Sequence, residues 1–300
     1  MPDTLELQLD RHAPIATWFG VGGAADRLAT PRSTEQLQQC VELDPGLRVL
    51  GDGANLLVAD GGVRELVVDL KHLNTVDIRP DGLVRAQAGA DLMRLVQDTA
   101  RAGLSGLHTI AGVPASIGGA VAMNAGGAHG STFDHLVELT TIDRRGNIRT
   151  QPASAFAATY RSGGLDGRIV IEAVFQLAPA DAGEVRDAVK AIMRQKKESQ
   201  PLAADSAGCV FKNPTPPHDI DGIGRSGQRV SAGMLIDRAG CKGQSVGGAA
   251  VSERHANFMV VNKDRARAQD VLELIEIVRD AVRERFAVEL ETEVVIWGQP

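Results

Sequence analysis

The stretch AGVPASIGGAVAMNAGG, residues 111–127, decides the fold of this chain. It contains five glycines and no charged side chain, a composition too rich in Gly and Ala to predict a regular helix. Because glycine has no Cβ, such a loop lets backbone N–H groups converge on an anion such as a phosphate. The candidate contacts are Ser116, Gly118 and Gly119, with Asn124 nearby as a polar anchor.

Another glycine-rich loop, GDGANL, spans residues 51–56; it is the first loop in chain order, and residues 111–127 form the second loop. A tight structural turn explains either loop taken alone, but the two together favour a bound nucleotide-like cofactor. A third stretch, FGVGGAAD at residues 19–26, lacks the preceding strand and the full spacing of a dinucleotide-binding fingerprint. We therefore give it no cofactor role.

Composition narrows the class of protein. The chain has 300 residues, enough for two or three domains, and a net charge of −6, so no overall basic field favours nucleic acid. No apolar run has the length needed to cross a bilayer, and the N-terminus lacks the basic-then-apolar pattern of a signal peptide. Three widely spaced cysteines, Cys40, Cys209 and Cys241, indicate a reducing compartment and predict no metal site. We expect a cytoplasmic protein without membrane insertion.

Capping signals and apolar spacing predict the helices. Ser33 is the expected N-cap of a helix in RSTEQLQQCVEL, with Gln36 closing a capping box. Asp91 is the expected N-cap of the next helix. Further helices are predicted at residues 183–199 and 271–286, the last from apolar residues at helical spacing.

Short β runs make up most of the rest. Before residue 200 they lie in LRVLGDGANLLVADGGVRELVVDL, GLVRAQ, HLVELTTIDRRGNIRT and RIVIEAVFQLAP, and after it in CVFKN, VGGAAVS, NFMVVN and VELETEVVIWG. Few regular βαβ units are visible, which favours α+β over a doubly wound sheet. Composition changes near Pro201, where we place a domain boundary.

Seven motifs, in order along the chain, resemble those of one family: GDGANLLVADGG, AGVPASIGGAVAMNAGG, TYRSG, SAGCVFKNP, SAGMLIDRAGCKG, VSERHANFMVVN and ETEVVIWG. The chain is similar, from about residue 17 to residue 298, to the UDP-N-acetylenolpyruvoylglucosamine reductases, flavoenzymes of peptidoglycan precursor synthesis. The compact C-terminal region resembles the shorter of the family's two types. The loop residue Asp52 departs from the family, which often has glycine there.

The resemblance implies a fold and a reaction. Two FAD-binding subdomains of the vanillyl-alcohol-oxidase (PCMH) type would span residues 1–72 and 73–200, and an α+β substrate-binding domain would span 201–300. NADPH, as co-substrate, would reduce non-covalent FAD. Hydride from flavin N5 would then add to the enolpyruvyl group of a UDP-sugar, giving UDP-N-acetylmuramate. We expect a monomer with small-molecule partners.

The resemblance also assigns binding residues. FAD would contact residues of the two glycine loops: Gly51, Asp52, Gly53, Ala54, Asn55, Leu56, Gly112, Pro114, Ser116, Ile117, Gly118, Gly119, Asn124, Ala125 and Gly126. The substrate would contact Tyr160, Lys212, Asn213 and Arg225.

Three residues match the family's catalytic positions. Arg161 follows Tyr160 in TYRSG, and its guanidinium can bind a carboxylate bidentately. Glu293 lies among alternating glutamates of the C-terminal run, where a strand would place Glu289, Glu291, Glu293, Val295 and Trp297 on one face. Alternation alone cannot choose among them, so the choice of Glu293 rests on the resemblance.

Cys209 stands where the family commonly has the serine that protonates the intermediate. A thiol has a reference pKa of about 8.5, so a cysteine can also deliver a proton. The alternative is a small buried hydrophobic residue, as most free cysteines are; we keep that interpretation for Cys40 and Cys241. We favour the acid role for Cys209.

Two other functions fit parts of the sequence. An FAD-dependent oxidase of alcohols or sugars would share the first 200 residues without requiring Arg161, Cys209 and Glu293 together. A covalent flavin would need a His or Cys tether, and His129 is the one candidate in the second loop. A nucleotide-binding regulator without catalysis is disfavoured because the acid, the cation and the carboxylate are all present.

Overall fold

The computed structural model describes residues 7–298. The chain forms two compact units. The first contains residues 7–13, 25–52 and 64–196, and the second contains 14–24, 53–63 and 197–298. The chain therefore enters the second unit twice before its C-terminal third.

Six helices and eighteen strands are assigned in the described part of the chain. The helices are α1 (Thr34–Leu43), α2 (Leu92–Arg101), α3 (Ile117–Ala122), α4 (Ala182–Ser199), α5 (Ala232–Arg238) and α6 (Ala268–Phe286). The strands are β1 (Leu9–Ala13), β2 (Ala25–Ala29), β3 (Arg48–Leu50), β4 (Leu56–Val58), β5 (Val63–Asp69), β6 (Val76–Ile78), β7 (Leu83–Gln87), β8 (Leu104–Ser105), β9 (Gly126–Gly127), β10 (Gly130–Ser131), β11 (Leu136–Ile142), β12 (Ile148–Pro152), β13 (Ile169–Gln176), β14 (Ala178–Pro179), β15 (Ser245–Val246), β16 (Ala249–Val251), β17 (Met259–Val261) and β18 (Val295–Trp297).

Two sheets build the first unit. One has the order β1-β2-β5-β3, and the other, which is antiparallel, has the order β12-β11-β13-β7-β6. Their inner faces share a core with α1 and α2 that includes Leu37, Leu66, Leu95 and Phe175, all fully buried. Mixed helices and largely antiparallel sheets confirm the α+β prediction.

The predicted caps of α1 and α2 are confirmed. Ser33 Oγ accepts a hydrogen bond from Gln36 N at 3.3 Å, and Asp91 Oδ1 accepts one from Arg94 N at 2.6 Å. Gln36 Oε1 accepts from Arg32 N at 2.7 Å. Ser33 and Asp91 satisfy N–H groups that the first helical turn leaves without an intrahelical partner, whereas Gln36 bonds the residue before the cap and not the Ser33 N–H of the predicted capping box.

The prediction that residues 111–127 hold no regular helix was wrong, because α3 forms within them. Ser116 is its N-cap, with Oγ accepting from Gly119 N at 3.2 Å. Ile117, Ala120 and Val121 are buried, and α3 packs against β13 and β7. Burial of one face against a sheet outweighs the poor helix propensity of two glycines.

The second unit is built around α6. Its predicted apolar stripe, Val271, Leu274, Ile275, Val278 and Val282, is buried. The sheet β15-β16-β17 and α5 pack on α6, and β18 pairs in parallel with β4. Two residues from early in the chain, Phe19 and Leu57, are fully buried in the same core, which is the physical reason that segments 14–24 and 53–63 belong to this unit.

Two predicted strands of this unit are not regular. In CVFKN, Cys209 and Phe211 form isolated bridges to Phe258 and Thr292. Gly208, at φ +77°, turns the chain just before them. The segment is thus paired on both edges without forming a continuous strand.

In VELETEVVIWG the regular strand is Val295–Trp297 alone. The predicted shared face breaks there, since Val295 is 37% exposed and Trp297 is 7% exposed. The cause is a change of partner. Glu293 N and Val294 N both donate to Val210 O, whereas Val295 N donates to Asn55 O.

The predicted boundary near residue 200 lies three residues after the point where the chain enters the second unit at residue 197. The division of the FAD-binding part at residue 72 stays a prediction, and residues 1–6 of that subdomain lie outside the described residues. Among residues 7–298, no helix is both long enough and apolar enough to span a bilayer.

Two carboxylates hold the start of α6. Asp60 accepts from Ala268 N and Gln269 N, each at 3.0 Å. Asp270 accepts from Gly248 N at 3.1 Å and Arg267 N at 3.0 Å. Backbone donation from Gly248 and Arg267 lowers the pKa of the buried Asp270 carboxyl. Its stabilising effect is therefore complete above the unfolded-state pKa of about 3.9 and is lost as pH falls through the lower folded-state pKa.

We predict that Asp270→Asn lowers the free energy of unfolding by about 1–2 kcal/mol at pH 7, because a neutral amide oxygen accepts the two N–H groups that share Oδ2 more weakly than a carboxylate does. The deficit shrinks as the pH falls below the unfolded-state pKa of about 3.9, where the unfolded chain takes up a proton that the folded carboxylate resists. Urea denaturation at several pH values measures this. The matched control is Asp77→Asn at an exposed carboxylate on β6. A deficit that stays constant from pH 7 to about 3 would contradict the ionic role of Asp270.

Candidate active site

The two glycine loops meet at one cleft in the first unit. The cleft has a volume of about 80 Å³ and is lined by Leu50, Gly51, Asp52, Asp69, Leu70, Lys71, Gly89, Asp91, Ala115 and Ser116. Two sequence-predicted cofactor residues of the first loop, Gly51 and Asp52, thus lie beside Ser116 of the second. The structure brings these three together.

Gly51 is required for that approach. A Cβ built on Gly51 would lie 2.4 Å from Ser116 Oγ, far inside contact distance. Ser116 is buried and its Oγ is already held by Gly119 N. A side chain at residue 51 would therefore fill the space between the loops.

Backbone hydrogen bonds fix the rest of the second loop. Gly118 N donates to Ala88 O at 2.7 Å, and Ala125 N donates to Ala120 O at 2.8 Å. Gly126 begins β9, where a Cβ would lie 2.4 Å from Gly130 O. The Ile117 side chain is fully buried in the core, so only its backbone can face a ligand. Pro114 is half-buried in the turn before α3.

At the start of this loop, Gly112 has φ +73°, and a Cβ there would lie 2.8 Å from Lys196 Cδ. Its N–H points to Met93 Sδ at 3.0 Å. At the other end, Asn124 uses its side chain within the protein. Its Nδ2 donates to Thr159 O at 3.1 Å and its Oδ1 accepts from Phe133 N at 3.2 Å.

Residues 53–56 of the first loop belong to the second unit. Gly53 has φ +65°, and a Cβ there would lie 2.2 Å from Ala16 O. Ala54 is half-buried, and Leu56 is buried at the start of β4. Asn55 Nδ2 donates to Glu293 O at 3.0 Å, so the loop fixes the main chain of a predicted catalytic residue.

Arg161 lies on a tight turn of the first unit. Thr159 and Ser162 exchange backbone hydrogen bonds at 2.8 and 3.2 Å, which leaves Tyr160 and Arg161 as the two central residues. The guanidinium carbon of Arg161 lies 5.0 Å from the centroid of the Tyr160 ring, in range for a cation–π contact. Both side chains are half-buried.

Cys209 lies on a segment that is paired on both edges within the second unit. On one edge, Val210 N donates to Asn257 O at 2.8 Å. On the other, Glu293 N donates to Val210 O at 2.7 Å and Lys212 N to Glu291 O at 2.9 Å. The Cys209 thiol is half-buried. The structure therefore places Cys209 and Glu293, 84 residues apart in sequence, on neighbouring segments.

Asn257 completes this pairing, and the sequence analysis missed it. Its side chain is buried. Asn257 Oδ1 accepts from Phe211 N at 2.9 Å, while Nδ2 donates to Phe211 O at 2.8 Å. A side-chain amide thus stands in for a peptide group of a neighbouring strand. The sequence signal that could have identified Asn257 was its position in the HANF motif, because a buried side-chain amide needs hydrogen-bond partners.

His255 has a structural role. Burial lowers the pKa of its imidazole, which favours the neutral ring. Its Nδ1 accepts from Asn257 N at 3.3 Å, and its ring packs edge-on against Phe258 at 4.8 Å between centroids. His255 thereby supports the residue that holds the Cys209 segment.

The other predicted substrate contacts are spread along the second unit. Lys212 Nζ lies 3.3 Å from Glu291 Oε2. Asn213 Oδ1 accepts from Ala232 N at 3.0 Å, at the start of α5. Arg225 is exposed in the loop that precedes α5.

The cleft has charged walls that the sequence analysis also missed. The side chains of Asp69 and Lys71 form an ion pair of 3.1 Å. Asp91 follows β7 and caps α2. The signal was positional, because Asp69 ends β5 and Lys71 and Asp91 lie shortly after strands of the two different sheets.

Comparison with known proteins supplies the family. Residues 200–297 match the model of the UDP-N-acetylenolpyruvoylglucosamine reductase C-terminal domain, and residues 25–151 match that of an FAD binding domain. UDP-N-acetylenolpyruvoylglucosamine reductase of Moorella thermoacetica is 38% identical over 302 residues, covering 98% of this chain and 95% of that protein. Its counterpart in Clostridium tetani is 37% identical, covering 94% and 89%.

The crystal structure of this reductase (MurB) from Thermus caldophilus superposes with a TM-score of 0.82 at 38% identity, covering 97% of this chain and 100% of that one. The chain belongs to the UDP-N-acetylenolpyruvoylglucosamine reductase family. It is an FAD-dependent oxidoreductase of peptidoglycan synthesis, with a PCMH-type FAD-binding fold followed by the family's C-terminal domain.

The cleft fits FAD. Gly51 leaves open a space that a Cβ would fill, so a ligand can approach the backbone of both loops. The carboxylates of Asp52, Asp69 and Asp91 line the cleft beside Lys71. Carboxylates accept hydrogen bonds from hydroxyl groups, and FAD carries hydroxyls on its ribityl chain and its ribose.

We predict that Gly51→Ala weakens FAD binding about tenfold or more, equivalent to about 1.4 kcal/mol. The new methyl group must displace Ser116 Oγ, which removes the cap of α3 and narrows the cleft. Fluorescence titration of flavin-stripped protein with FAD measures the affinity. Gly127→Ala is the control, since a Cβ there meets no atom within 4 Å. Equal FAD affinity in the two variants would contradict the assignment of the cleft.

Proposed function

We propose that this protein reduces the enolpyruvyl group of UDP-N-acetylenolpyruvoylglucosamine with NADPH, giving UDP-N-acetylmuramate for peptidoglycan. Its relatives carry the name of that reductase. The observation that carries the proposal is the pairing of the Cys209 segment with the Glu293 segment. This pairing places two residues with candidate acid side chains on neighbouring segments. We propose that the enzyme acts in the cytoplasm as a monomer.

When bound, FAD would supply from N5 the hydride that adds to the methylene carbon of the enol ether, with NADPH as its source. We propose that Gly51, Asp52 and Ser116 hold FAD, while the N–H groups of Gly118 and Gly119 shape the loop through their bonds to Ala88 O and Ser116 Oγ. Adding hydride to one carbon of the double bond leaves an electron pair on the other, beside the carboxylate. The protein must stabilise that pair and then supply one proton.

Arg161 is proposed to bind the substrate carboxylate. Its guanidinium stays protonated at any working pH and presents two parallel N–H donors. As the electron pair develops, negative charge spreads onto the carboxylate. A fixed cation stabilises this charge more than it stabilises the ground state, which lowers the barrier.

Cys209 is proposed to deliver the proton to the carbon beside the carboxylate. Its half-buried thiol lies on a segment with main-chain bonds on both edges, so the main chain sets its position. Glu293 is proposed to hydrogen-bond the developing enolate. Its main chain is fixed by Asn55 Nδ2 at its carbonyl and by Val210 O at its N–H.

Four polar side chains are proposed to contact the substrate. Lys212 and Arg225 carry the charge to meet a diphosphate, and Tyr160 and Asn213 offer hydrogen bonds. Lys212 is paired with exposed Glu291 at 3.3 Å. A diphosphate can replace Glu291 as the partner of Lys212 at little cost in free energy, because such exposed ion pairs contribute little to stability.

The test is anaerobic. The bound flavin is reduced with one equivalent of NADPH and then mixed with the enolpyruvyl nucleotide, and flavin absorbance is followed by stopped flow. We expect full reoxidation with formation of the muramate product. Flavin that stays reduced with the nucleotide but is reoxidised by dioxygen would contradict the proposal and favour the oxidase alternative.

We predict that Cys209→Ala leaves reduction by NADPH unchanged but slows reoxidation by the nucleotide about 100-fold or more, the effect of losing a general acid. Cys209→Ser keeps substantial activity because a hydroxyl can also donate a proton. The matched control is Cys241→Ala, the same change at a buried thiol of the same unit. Unchanged reoxidation in Cys209→Ala would remove Cys209 from the mechanism.

A further inference from the structure

The turn that carries Arg161 has an unfavourable backbone. Arg161 has φ +59°, in the left-handed region that glycine adopts freely and that a residue with a Cβ adopts at a cost. Glycine would suit the second central position of this two-residue turn. Such strain persists where surrounding contacts fix the backbone, and it is common at functional sites.

Three sets of contacts fix this backbone, and they are made by Gly163, by the ring of Tyr160 and by Asn124. Gly163 N donates to Ala122 O at 2.9 Å, so the turn is tied to the C-terminal end of α3. A Cβ at Gly163 would lie 2.2 Å from Val121 O, which shows how closely the two backbones approach. The guanidinium of Arg161 lies over the ring of Tyr160.

The remaining support comes from a side chain in the second glycine loop. Asn124 Nδ2 donates to Thr159 O at 3.1 Å, at the residue where the turn begins. Asn124 Oδ1 accepts from Phe133 N at 3.2 Å, so both ends of the amide are bonded within the protein. Asn124 itself has φ +39°, a conformation that asparagine tolerates better than most residues.

We propose that Asn124 is a positioning residue that holds the turn of Arg161 for substrate binding. This inference rests on the proposed function, since it takes Arg161 as the group that binds the substrate carboxylate. Asn124 acts through Thr159 O on the turn, and its own amide does not need to touch FAD. The second glycine loop then has two tasks, because Ser116 lines the cofactor cleft and Asn124 orients the arginine.

Two variants separate the bonds of Asn124. Asn124→Gly removes both and suits the positive φ of this residue. Asn124→Asp keeps an acceptor for Phe133 N but puts a carboxylate oxygen against Thr159 O. For each variant, calorimetry of the oxidised holoenzyme gives the dissociation constant of the enolpyruvyl nucleotide. Titration of stripped protein gives that of FAD.

We expect both variants to weaken nucleotide binding about tenfold while FAD affinity stays within about twofold of wild type. In an Arg161→Ala background, which has already lost the arginine, adding Asn124→Gly should change nucleotide affinity by less than about twofold, since the two residues act as one unit. A purely structural role would weaken binding equally in both backgrounds.

Three results would overturn the inference. One is additive losses in the double variant. Another is loss of FAD affinity with unchanged nucleotide affinity, which would make Asn124 a cofactor ligand. The third is full nucleotide affinity in Asn124→Asp, which would make the bond to Thr159 dispensable. A wild-type protein that does not bind the nucleotide would instead contradict the proposed function itself.

Discussion

The placement of α3 is the constraint on which the chemistry of the first unit depends. Its N-cap, Ser116, closes against Gly51 with no room for a Cβ. Its last residue, Ala122, accepts the hydrogen bond that anchors the turn of Arg161. Six residues packed against β13 and β7 thus connect a wall of the cofactor cleft to the proposed carboxylate-binding cation. This explains how a run of glycine and alanine can be rigid.

The second unit holds the Cys209 and Glu293 segments side by side with little regular secondary structure. The Cys209 segment is bonded on one edge to Asn257 and on the other to Glu291 and Glu293. The Glu293 segment is bonded in turn to Asn55. These bonds are made largely by the main chain. The exceptions are Asn257 and Asn55, whose side-chain amides bond the backbone of Phe211 and Glu293.

Local signals predicted the fold well where they decide the structure. Ser33 and Asp91 cap the helices they were expected to cap, and apolar spacing predicted α6. Prediction failed where contacts with residues distant in the sequence determine the local structure. Composition argued against α3, which burial on a sheet stabilises. The propensity of CVFKN favoured a strand, but its edges are bonded partly by a side chain, Asn257. The early segments of the second unit were missed because Phe19 and Leu57 give no local sign of the core they join.

The candidate site was predicted mainly from motifs, because composition and spacing pointed only to glycine loops. The loops do meet, at Gly51, Asp52 and Ser116. Other side chains that line the cleft, such as Asp69 and Lys71, belong to neither loop and lie at the end of β5. The support of Arg161 by Asn124 could not be read from the sequence, since 35 residues separate Asn124 from Thr159.

The most direct test of the central role of α3 is amide hydrogen exchange of Gly163 in holoenzyme carrying Ser116→Ala. Removing the cap loosens α3 by about 1 kcal/mol, so exchange at Gly163 N–H, whose acceptor is Ala122 O, should quicken about fivefold. Ser33→Ala, the same change at the cap of α1, should leave Gly163 unaffected. Exchange at Gly163 that stays at the wild-type rate in Ser116→Ala would contradict the account.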